Sequence, residues 1–193
     1  MLLAEWRRVA APRPLLVIVP RHPQRFDEVA SLVASQGFTL ARRSSWADTP
    51  PAEAAVADAW LGDSMREMPL YYGFSQVALL GGSFAPLGGQ NLIEAAACAC
   101  PVVMGPHTFN FEQAADNAIA ERAALRVAGI DEGVARAIEL TRDALHAQWS
   151  ERAVAFAQMH KGAARRMADR IVQLAGARIG AGAADSARVE LAR

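Results

Sequence analysis

A glycine-rich stretch between two apolar runs, residues 77–106, constrains the fold of this chain more than any other feature. Its parts in order are the apolar run 77–80, the glycine pairs 81–82 and 88–89, the alanine-rich run 92–100, and the apolar run 102–104. Short continuous apolar runs are typical of buried parallel strands. The alanine-rich run contains no helix breaker, and Pro101 ends it. The stretch therefore predicts a strand, a glycine loop, a helix and a strand, which is one βαβ unit of a parallel sheet.

This unit predicts a site for a phosphate-bearing ligand at the carboxyl ends of its strands. Glycines let the backbone approach a ligand closely, and the free N–H groups at a helix start favour an anion. Asn91 is the predicted N-cap, and Glu94 follows in the first helical turn. A carboxylate there either accepts hydrogen bonds from a ribose diol or caps the helix. The glycine pattern alone also fits a purely structural turn.

The composition indicates a globular protein and excludes several functional classes. The 193 residues suffice for one domain, with 52% hydrophobic and 21% charged residues. With 20 basic and 20 acidic residues the net charge is zero, so we expect no nucleic-acid partner. We expect neither a membrane-spanning helix nor a signal peptide. The four histidines lack metal-ligand spacing, and Cys98 and Cys100 are predicted to be small buried thiols.

The rest of the chain predicts alternating strands and helices, which is typical of a Rossmann-like, doubly wound parallel α/β sheet. Further strands are predicted at 15–19, 38–41, 55–61 and 124–128, and further helices at 1–11, 26–36, 112–123, 130–147 and 150–175. Another helix is predicted to open at residues 62–64, with Asp63 or Ser64 as its cap. No strand precedes the first helix, which suggests that the chain begins partway through such a domain.

Two more groups of side chains follow predicted strands at the ligand-binding edge. Arg21 suits bidentate contact with phosphate or stacking on a base, and His22 either donates to phosphate or holds the loop. Met65, Arg66 and Glu67 follow the third strand. A core position for Met65 and a capping role for Glu67 are the structural alternatives.

Five motifs in register carry a resemblance to a known family. They are Pro-Arg-His-Pro at 20–23, Gly-Asp-Ser-Met at 62–65, Gly-Gly-Ser at 81–83, Gly-Gly-Gln-Asn-Leu-Ile-Glu at 88–94 and Gly-Pro-His-Thr-Phe-Asn-Phe at 105–111. Over roughly residues 15–174 the chain resembles the C-terminal half of the 3-deoxy-D-manno-octulosonic acid (Kdo) transferases. The resemblance implies a GT-B glycosyltransferase made of two Rossmann-like domains. Its C-terminal domain holds CMP-Kdo, and its N-terminal domain holds the lipid A precursor and the catalytic carboxylate.

The resemblance also implies how this chain relates to the whole enzyme. Residues 1–175 correspond to the CMP-Kdo-binding domain and residues 176–193 to a flexible tail, while the acceptor domain and the first strand of the donor domain are absent. We therefore expect a soluble fragment that binds CMP-Kdo, contains no catalytic residue, needs no cofactor or metal, and is inactive alone. The full-length protein is expected at the cytoplasmic face of the bacterial inner membrane, with membrane association only in that form.

The residues expected to hold the donor follow from matching motif positions. They are Pro20, Arg21, Met65, Arg66, Glu67, Gly82, Ser83, Asn91, Leu92, Ile93 and Glu94. The resemblance implies that Arg21 meets base or phosphate, the backbone of 65–67 meets cytosine, and Glu94 meets the ribose hydroxyls. Gly82 and Ser83 would lie beside the phosphate and the Kdo carboxylate. The chain departs from the family where it has Gln90 in place of a common histidine and Arg66 in place of a common glycine.

Two other functions stay open at the level of sequence. One is a UDP-sugar-dependent GT-B transferase or a sugar-nucleotide epimerase, which shares the glycine loop and the ribose contact. The other is a non-catalytic nucleotide-binding module, which a symmetric dimer burying Phe109 and Phe111 would favour. We also expect an open apolar face around Leu2, Trp6 and the terminal helix, which would favour a homodimer of the fragment.

Overall fold

Short parallel strands alternate with helices along the chain, as the apolar runs predict. The computed structural model describes residues 1–162 and 167–175. The strands are β1 (Leu16–Ile18), β2 (Leu40–Arg42), β3 (Ala59–Leu61), β4 (Ala78–Leu80), β5 (Val102–Met104) and β6 (Ala124–Arg126). The helices are α1 (Leu2–Arg8), α2 (Phe26–Ser35), α3 (Met68–Phe74), α4 (Leu92–Ala97), α5 (Glu112–Ala120), α6 (Ile130–Arg142) and α7 (His146–His160).

The strands form two parallel sheets of three strands each. The first has the order β1-β3-β2, with Leu16 opposite Ala59, and the second has the order β4-β5-β6, with Ala78 opposite Val102. Because every pairing is parallel, the carboxyl ends of the strands within a sheet lie at one edge. The predicted α/β class and parallel pairing are confirmed.

The chain divides into two compact units, residues 1–158 and 159–193. The first unit contains both sheets. In the second unit, residues 167–175 are helical and exposed. Within the range predicted as one helix, 150–175, the structure describes two helical segments, the later part of α7 and residues 167–175. The tail predicted at 176–193 lies outside the described residues. The predicted domain boundaries stay predictions.

Small residues on the helices let the second sheet bury its strands closely. Ala95 on α4 and Ala115 on α5 are fully buried, as is Phe156 on α7. They pack with Val102 and Met104 of β5 in one apolar cluster. Cys100 belongs to the same cluster, and burial raises the pKa of its thiol to about 12. The prediction of a buried thiol is confirmed for Cys100, whereas Cys98 is only half-buried.

The expected open face around α1 is not observed. Trp6 is only 7% exposed and lies in a cluster with Val33, Phe38 and Val134, because α6 packs across α1. Leu2 is partly buried against the same cluster. The expected exposure of Trp6 was therefore wrong, and the homodimer stays a prediction.

Two predicted elements near the first sheet differ from the structure. β3 contains only Ala59–Leu61, because Ala52–Val56 forms a 3-10 turn whose Ala54 carbonyl accepts a bond of 2.8 Å from the indole N–H of Trp60. The helix predicted to open at 62–64 begins instead at Met68. The reason is that the Asp63 carboxylate bonds to another loop, and Arg66 has a φ of +68°, which interrupts helical geometry.

Candidate functional site

The predicted site residues lie at the carboxyl ends of strands in both sheets. Pro20 and Arg21 follow β1, and residues 65–67 follow β3. In the second sheet, residues 82–83 follow β4 and 91–94 open α4. A cavity of about 570 Å³ is lined by Val19, Met68, Gly81 and Gln90, which are neighbours in sequence of the predicted site residues. The cavity lining includes none of the eleven predicted site residues themselves, so the site stays a prediction.

Ser83 holds the first glycine turn to the next strand. Its side chain is fully buried, its Oγ donates to the Leu80 carbonyl at 2.5 Å, and the N–H of Gly105 donates to that Oγ at 2.7 Å. The backbone N–H of His107 donates to the Ser83 carbonyl at 3.0 Å. Both hydrogen-bonding functions of the hydroxyl are therefore used inside the fold. The expectation that Ser83 contacts a ligand does not hold for its side chain.

The second glycine pair requires the left-handed backbone that glycine tolerates. Gly88 and Gly89 have φ values of +84° and +83°. Asn110 supports this turn, because its backbone N–H donates to the Gly88 carbonyl at 3.1 Å and its Nδ2 donates to the Leu87 carbonyl at 3.3 Å. A Cβ on Gly88 would lie 2.1 Å from the Asn110 Nδ2. The 105–111 motif therefore shapes the glycine loop, a role that the sequence did not predict.

Gln90 closes the glycine loop from the inside. Its Oε1 accepts a hydrogen bond of 3.2 Å from the N–H of Gly82, and the N–H of Gly89 donates to the Gly82 carbonyl at 3.3 Å. The Gly82 N–H thus has a partner within the loop. The Gln90 side chain therefore helps to fix the backbone between the two glycine pairs.

The start of α4 presents a carboxylate in a fixed position. The Asn91 Oδ1 accepts a bond of 3.1 Å from the Ile93 N–H, which confirms the predicted cap, and its Nδ2 donates to Glu94 Oε1 at 2.9 Å. Glu94 itself is exposed. Leu92 is buried and Ile93 packs against the core, so these two can offer a ligand only backbone groups.

A buried carboxylate organises the loops after β2 and β3. The Asp63 side chain is inaccessible to solvent and accepts bonds from Arg42 Nε at 2.7 Å, Ser44 N–H at 2.8 Å and Ser44 Oγ at 2.6 Å. Burial opposes ionisation, but the bonds from Ser44 and Arg42 outweigh it and hold the pKa of Asp63 below its ordinary value. Sequence reasoning missed this role. An aspartate directly after a buried strand and a glycine was its only signal.

We predict that Asp63→Asn lowers the unfolding free energy by about 1–3 kcal/mol at neutral pH, because it removes a charged hydrogen-bond acceptor. Since the folded-state pKa of Asp63 is depressed, its contribution is complete above the unfolded-state pKa of about 4 and is lost as pH falls through the lower folded-state pKa. The difference between wild type and variant in urea unfolding should therefore shrink below about pH 4. Asp48→Asn, at an exposed aspartate, is the control. A difference that stays constant down to pH 2, roughly two units below that value, would contradict the account.

Side-chain hydrogen bonds hold Glu67 in the loop after β3. Glu67 accepts hydrogen bonds from Ser64, from Arg43 at 2.9 Å and from the Tyr71 hydroxyl at 3.2 Å. The Ser64 hydroxyl and then the Arg43 guanidinium hold the pKa of Glu67 below its ordinary value. Met65 is 59% exposed, so the core alternative for this residue is wrong. With Glu67 engaged, this loop offers a ligand mainly the peptide groups of 65–66.

Arg21 is an unengaged cation at the carboxyl edge of the first sheet. It is exposed and makes no hydrogen bond or ion pair with any other residue that the structure describes. By contrast, Arg42 and Arg43 are held by Asp63 and Glu67. An arginine in this state can contact an anionic ligand without losing an internal partner.

The described part of the chain contains no cluster of three or more histidine, cysteine, aspartate or glutamate side chains arranged to hold a metal ion. Within residues 1–162 and 167–175, no helix has the length and apolar character needed to cross a membrane.

Comparison with known proteins gives close relatives for most of the chain. No protein-family model matches it. It is 48% identical over 163 residues to a 3-deoxy-D-manno-octulosonic acid transferase of Bordetella pertussis, covering 84% of this chain and 37% of the relative. A protein of the same name from Haemophilus influenzae is 40% identical over 128 residues, which cover 66% of this chain and 29% of that relative. The chain thus spans about a third of the length of these curated relatives.

A solved structure matches the fold as well as the sequence. The crystal structure of the C-terminal CMP-Kdo binding domain of WaaA from Acinetobacter baumannii superposes with a TM-score of 0.66 at 34% sequence identity. The match covers 74% of this chain and 72% of that domain. The similarity therefore extends over most of both chains.

Proposed function

We propose that this chain, which belongs to the family of 3-deoxy-D-manno-octulosonic acid transferases, is the domain of such an enzyme that binds the sugar donor CMP-Kdo. The observation that carries the proposal is the 34% identical match to the CMP-Kdo binding domain of WaaA, over about three quarters of both chains. The order of the elements supports it, since an exposed, unengaged arginine follows β1, and a glycine loop and a helix start follow β4.

The proposal assigns a role to each segment of the site. Arg21 contacts the phosphate or the base, because no internal partner competes for its guanidinium. The peptide groups of residues 65–67 meet the edge of cytosine, where they can distinguish an exocyclic amine from a carbonyl oxygen. The free N–H groups at the start of α4 meet the phosphate, and Glu94 accepts hydrogen bonds from the ribose diol. Residues 82–83 border the phosphate and the Kdo carboxylate through their backbone only.

We propose that these residues bind and orient the donor and that the base lies elsewhere. When the glycosidic bond breaks, CMP leaves carrying the added negative charge on its phosphate. Arg21 and the N–H groups of α4 can stabilise that charge, and no metal is needed for this. The carboxylate that takes the proton of the acceptor hydroxyl belongs to the acceptor domain, outside this chain. The isolated chain is therefore expected to bind the donor without transferring Kdo.

For the whole protein we propose transfer of Kdo from CMP-Kdo to a lipid A precursor, at the cytoplasmic face of the bacterial inner membrane. The support is the similarity to transferases of which this chain spans about a third. The acceptor and the membrane contact would lie on the part of the protein beyond residues 1–193.

The proposal predicts that the chain binds CMP at least about fivefold more tightly than UMP, since reading one exocyclic group by hydrogen bonds contributes about 1 kcal/mol or more. Isothermal titration calorimetry with each nucleotide measures this ratio directly. Tighter binding of UMP would assign the chain to UDP-sugar enzymes. Absence of binding to either nucleotide would contradict a donor site complete within this chain.

A further inference from the structure

We propose that Glu67 positions the loop that meets the base of the nucleotide and does not itself contact the ligand. It acts with three hydrogen-bond partners, and we call the four side chains the Glu67 clamp: Arg43, Ser64, Glu67 and Tyr71. This inference rests on the proposed function, because it concerns the loop 64–67 that we assign to cytosine. It adds positioning residues to that site.

The centre of this loop has a backbone conformation that its own residue disfavours. Arg66 has a φ of +68°, in the left-handed region. For a residue other than glycine, this conformation is about fivefold to thirtyfold less populated than the right-handed one. The Arg66 side chain is exposed and makes no hydrogen bond or ion pair with any other residue that the structure describes. Contacts elsewhere in the loop therefore have to hold the backbone in this conformation.

The Glu67 carboxylate joins the loop to two elements outside it. Its Oε2 accepts a hydrogen bond from Ser64, three residues earlier in the loop, and one of 3.2 Å from the Tyr71 hydroxyl on α3. Its Oε1 accepts a bond of 2.9 Å from Arg43, in the turn after β2. Three donors from three places in the chain thus converge on one carboxylate beside Arg66.

Both oxygens of this carboxylate are already in use. A ligand that donated to Glu67 would compete with Arg43 at one oxygen, or with Ser64 and Tyr71 at the other. The exposed peptide groups of residues 65–66 carry no such competition, since Met65 and Arg66 are both exposed. The geometry therefore favours an indirect role for the Glu67 side chain.

Tyr71 is held in place from the side opposite to Glu67. Its ring packs on the backbone at the end of β3, because a Cβ on Gly62 would lie 2.7 Å from the Tyr71 Cζ. Tyr71 is only 5% exposed, and burial raises the pKa of its hydroxyl, so the hydroxyl keeps the proton that it donates. A fixed donor of this kind can fix the carboxylate that it binds.

Release of the clamp should change how the loop meets the base. A change of φ at Arg66 from the left-handed to the right-handed region rotates the peptide groups on either side of it. Those are the groups that we assign to the exocyclic amine of cytosine. Apparent affinity falls by the fraction of molecules that keep the competent conformation.

A double-variant experiment separates positioning from direct contact. We expect Glu67→Gln to weaken CMP binding by about fivefold to thirtyfold, the factor by which Arg66 prefers the right-handed conformation. Glycine populates both regions about equally, so in an Arg66→Gly background the same change should weaken binding by only about twofold. Isothermal titration calorimetry of the four proteins with CMP measures both ratios.

Tyr71→Phe tests the clamp with a smaller change, which keeps the experiment decisive if Glu67→Gln does not fold. It removes one hydroxyl donor and should weaken CMP binding by about twofold to tenfold, an effect that Arg66→Gly again abolishes. Tyr72→Phe is the matched control. Tyr72 is the next residue on α3, is half-buried, and its hydroxyl makes no hydrogen bond with any described residue. This control should leave CMP affinity unchanged.

Urea unfolding of the same four proteins tests the clamp without a ligand. Breaking the clamp also releases the strain at Arg66, and a glycine at this position has no such strain to release. Glu67→Gln should therefore lower the urea midpoint further in the Arg66→Gly background than in the wild-type background. If wild type itself does not bind CMP, the proposed function fails, and this difference still shows whether the clamp holds the loop.

Three results would overturn the inference. Equal losses of CMP affinity on Glu67→Gln in both backgrounds would mean that Glu67 contacts the ligand directly. Unchanged affinity in the wild-type background would mean that the clamp does not control the loop. Equal shifts of the urea midpoint in both backgrounds would mean that Glu67 does not hold the left-handed conformation at Arg66.

Discussion

Replacing Gly105 by alanine is expected to destabilise the fold by about 3 kcal/mol, at the upper end of the cost of overpacking. A Cβ there would lie 2.5 Å from the Ser83 carbonyl oxygen and 2.9 Å from the Phe84 ring. Backbone atoms cannot move aside as a side chain can, and the Gly105 N–H is bonded to the buried Ser83 hydroxyl. In a thermal melt followed by circular dichroism, this corresponds to a fall in Tm of about 6–12 °C.

Gly81→Ala is the matched control for that prediction. Gly81 belongs to the first glycine pair, just before Ser83, and a Cβ on Gly81 would meet nothing within 4 Å. We expect its Tm to stay close to wild type. Equal melting temperatures for the two variants would mean that the Ser83–Gly105 contact does not hold the glycine loop in place.

Replacing Glu94 by alanine is expected to weaken CMP binding by about tenfold to a hundredfold. The variant removes the charged acceptor that we propose for the ribose diol, and hydrogen bonds to charged groups contribute about 1.5–3 kcal/mol. Stability should change little, since Glu94 is exposed and its described hydrogen-bond partner is Asn91. Calorimetric titration of wild type and variant measures the ratio of the dissociation constants.

Glu112→Ala controls for the general effect of charge near a helix start. Glu112 is an exposed carboxylate in the first turn of α5, as Glu94 is in α4. This variant should leave CMP affinity within about fivefold, because a first-turn charge contributes at most about 1 kcal/mol. Similar losses in both variants would indicate a general electrostatic effect, and unchanged affinity in Glu94→Ala would remove the ribose contact from the site.

The fold of the second sheet could be predicted because its sequence signals are local. The glycine pairs and Asn91 mark turns and a cap through their own backbone preferences. The helix predicted to end at Pro101 ends earlier, at Ala97, and Ala99 has a left-handed φ of +59°. The structure places β4, α4 and β5 within the predicted runs. The cap is confirmed by the hydrogen bond from the Ile93 N–H to Asn91.

The first sheet was harder to predict because its loops depend on contacts distant in sequence. Asp63 was predicted to cap a helix, but Arg42 and Ser44 from the preceding loop bind its carboxylate. Trp6 was predicted to be exposed, but α6, more than a hundred residues later, covers it. Neither contact leaves a periodic or local pattern in the sequence.

The candidate site was predicted as a set of segments and only partly as a set of side chains. Ser83 and Leu92 lie in two of the motifs that resemble the family, yet both side chains are buried in the fold. Their positions are matched because they shape the backbone that lines the site. A sequence motif alone does not distinguish a residue that shapes the backbone of the site from one whose side chain contacts the ligand.

Chemical-shift mapping of CMP by two-dimensional NMR tests the central claim most directly. The account predicts that the largest shifts fall on the amides of Arg21, residues 65–67 and residues 93–94, at the carboxyl edge of both sheets. A second cavity of about 490 Å³ lies at the amino ends of the first sheet, lined by Arg13, Phe38 and Asp58. Shifts concentrated there, with the carboxyl edge unperturbed, would contradict a donor-nucleotide site on the glycine loop.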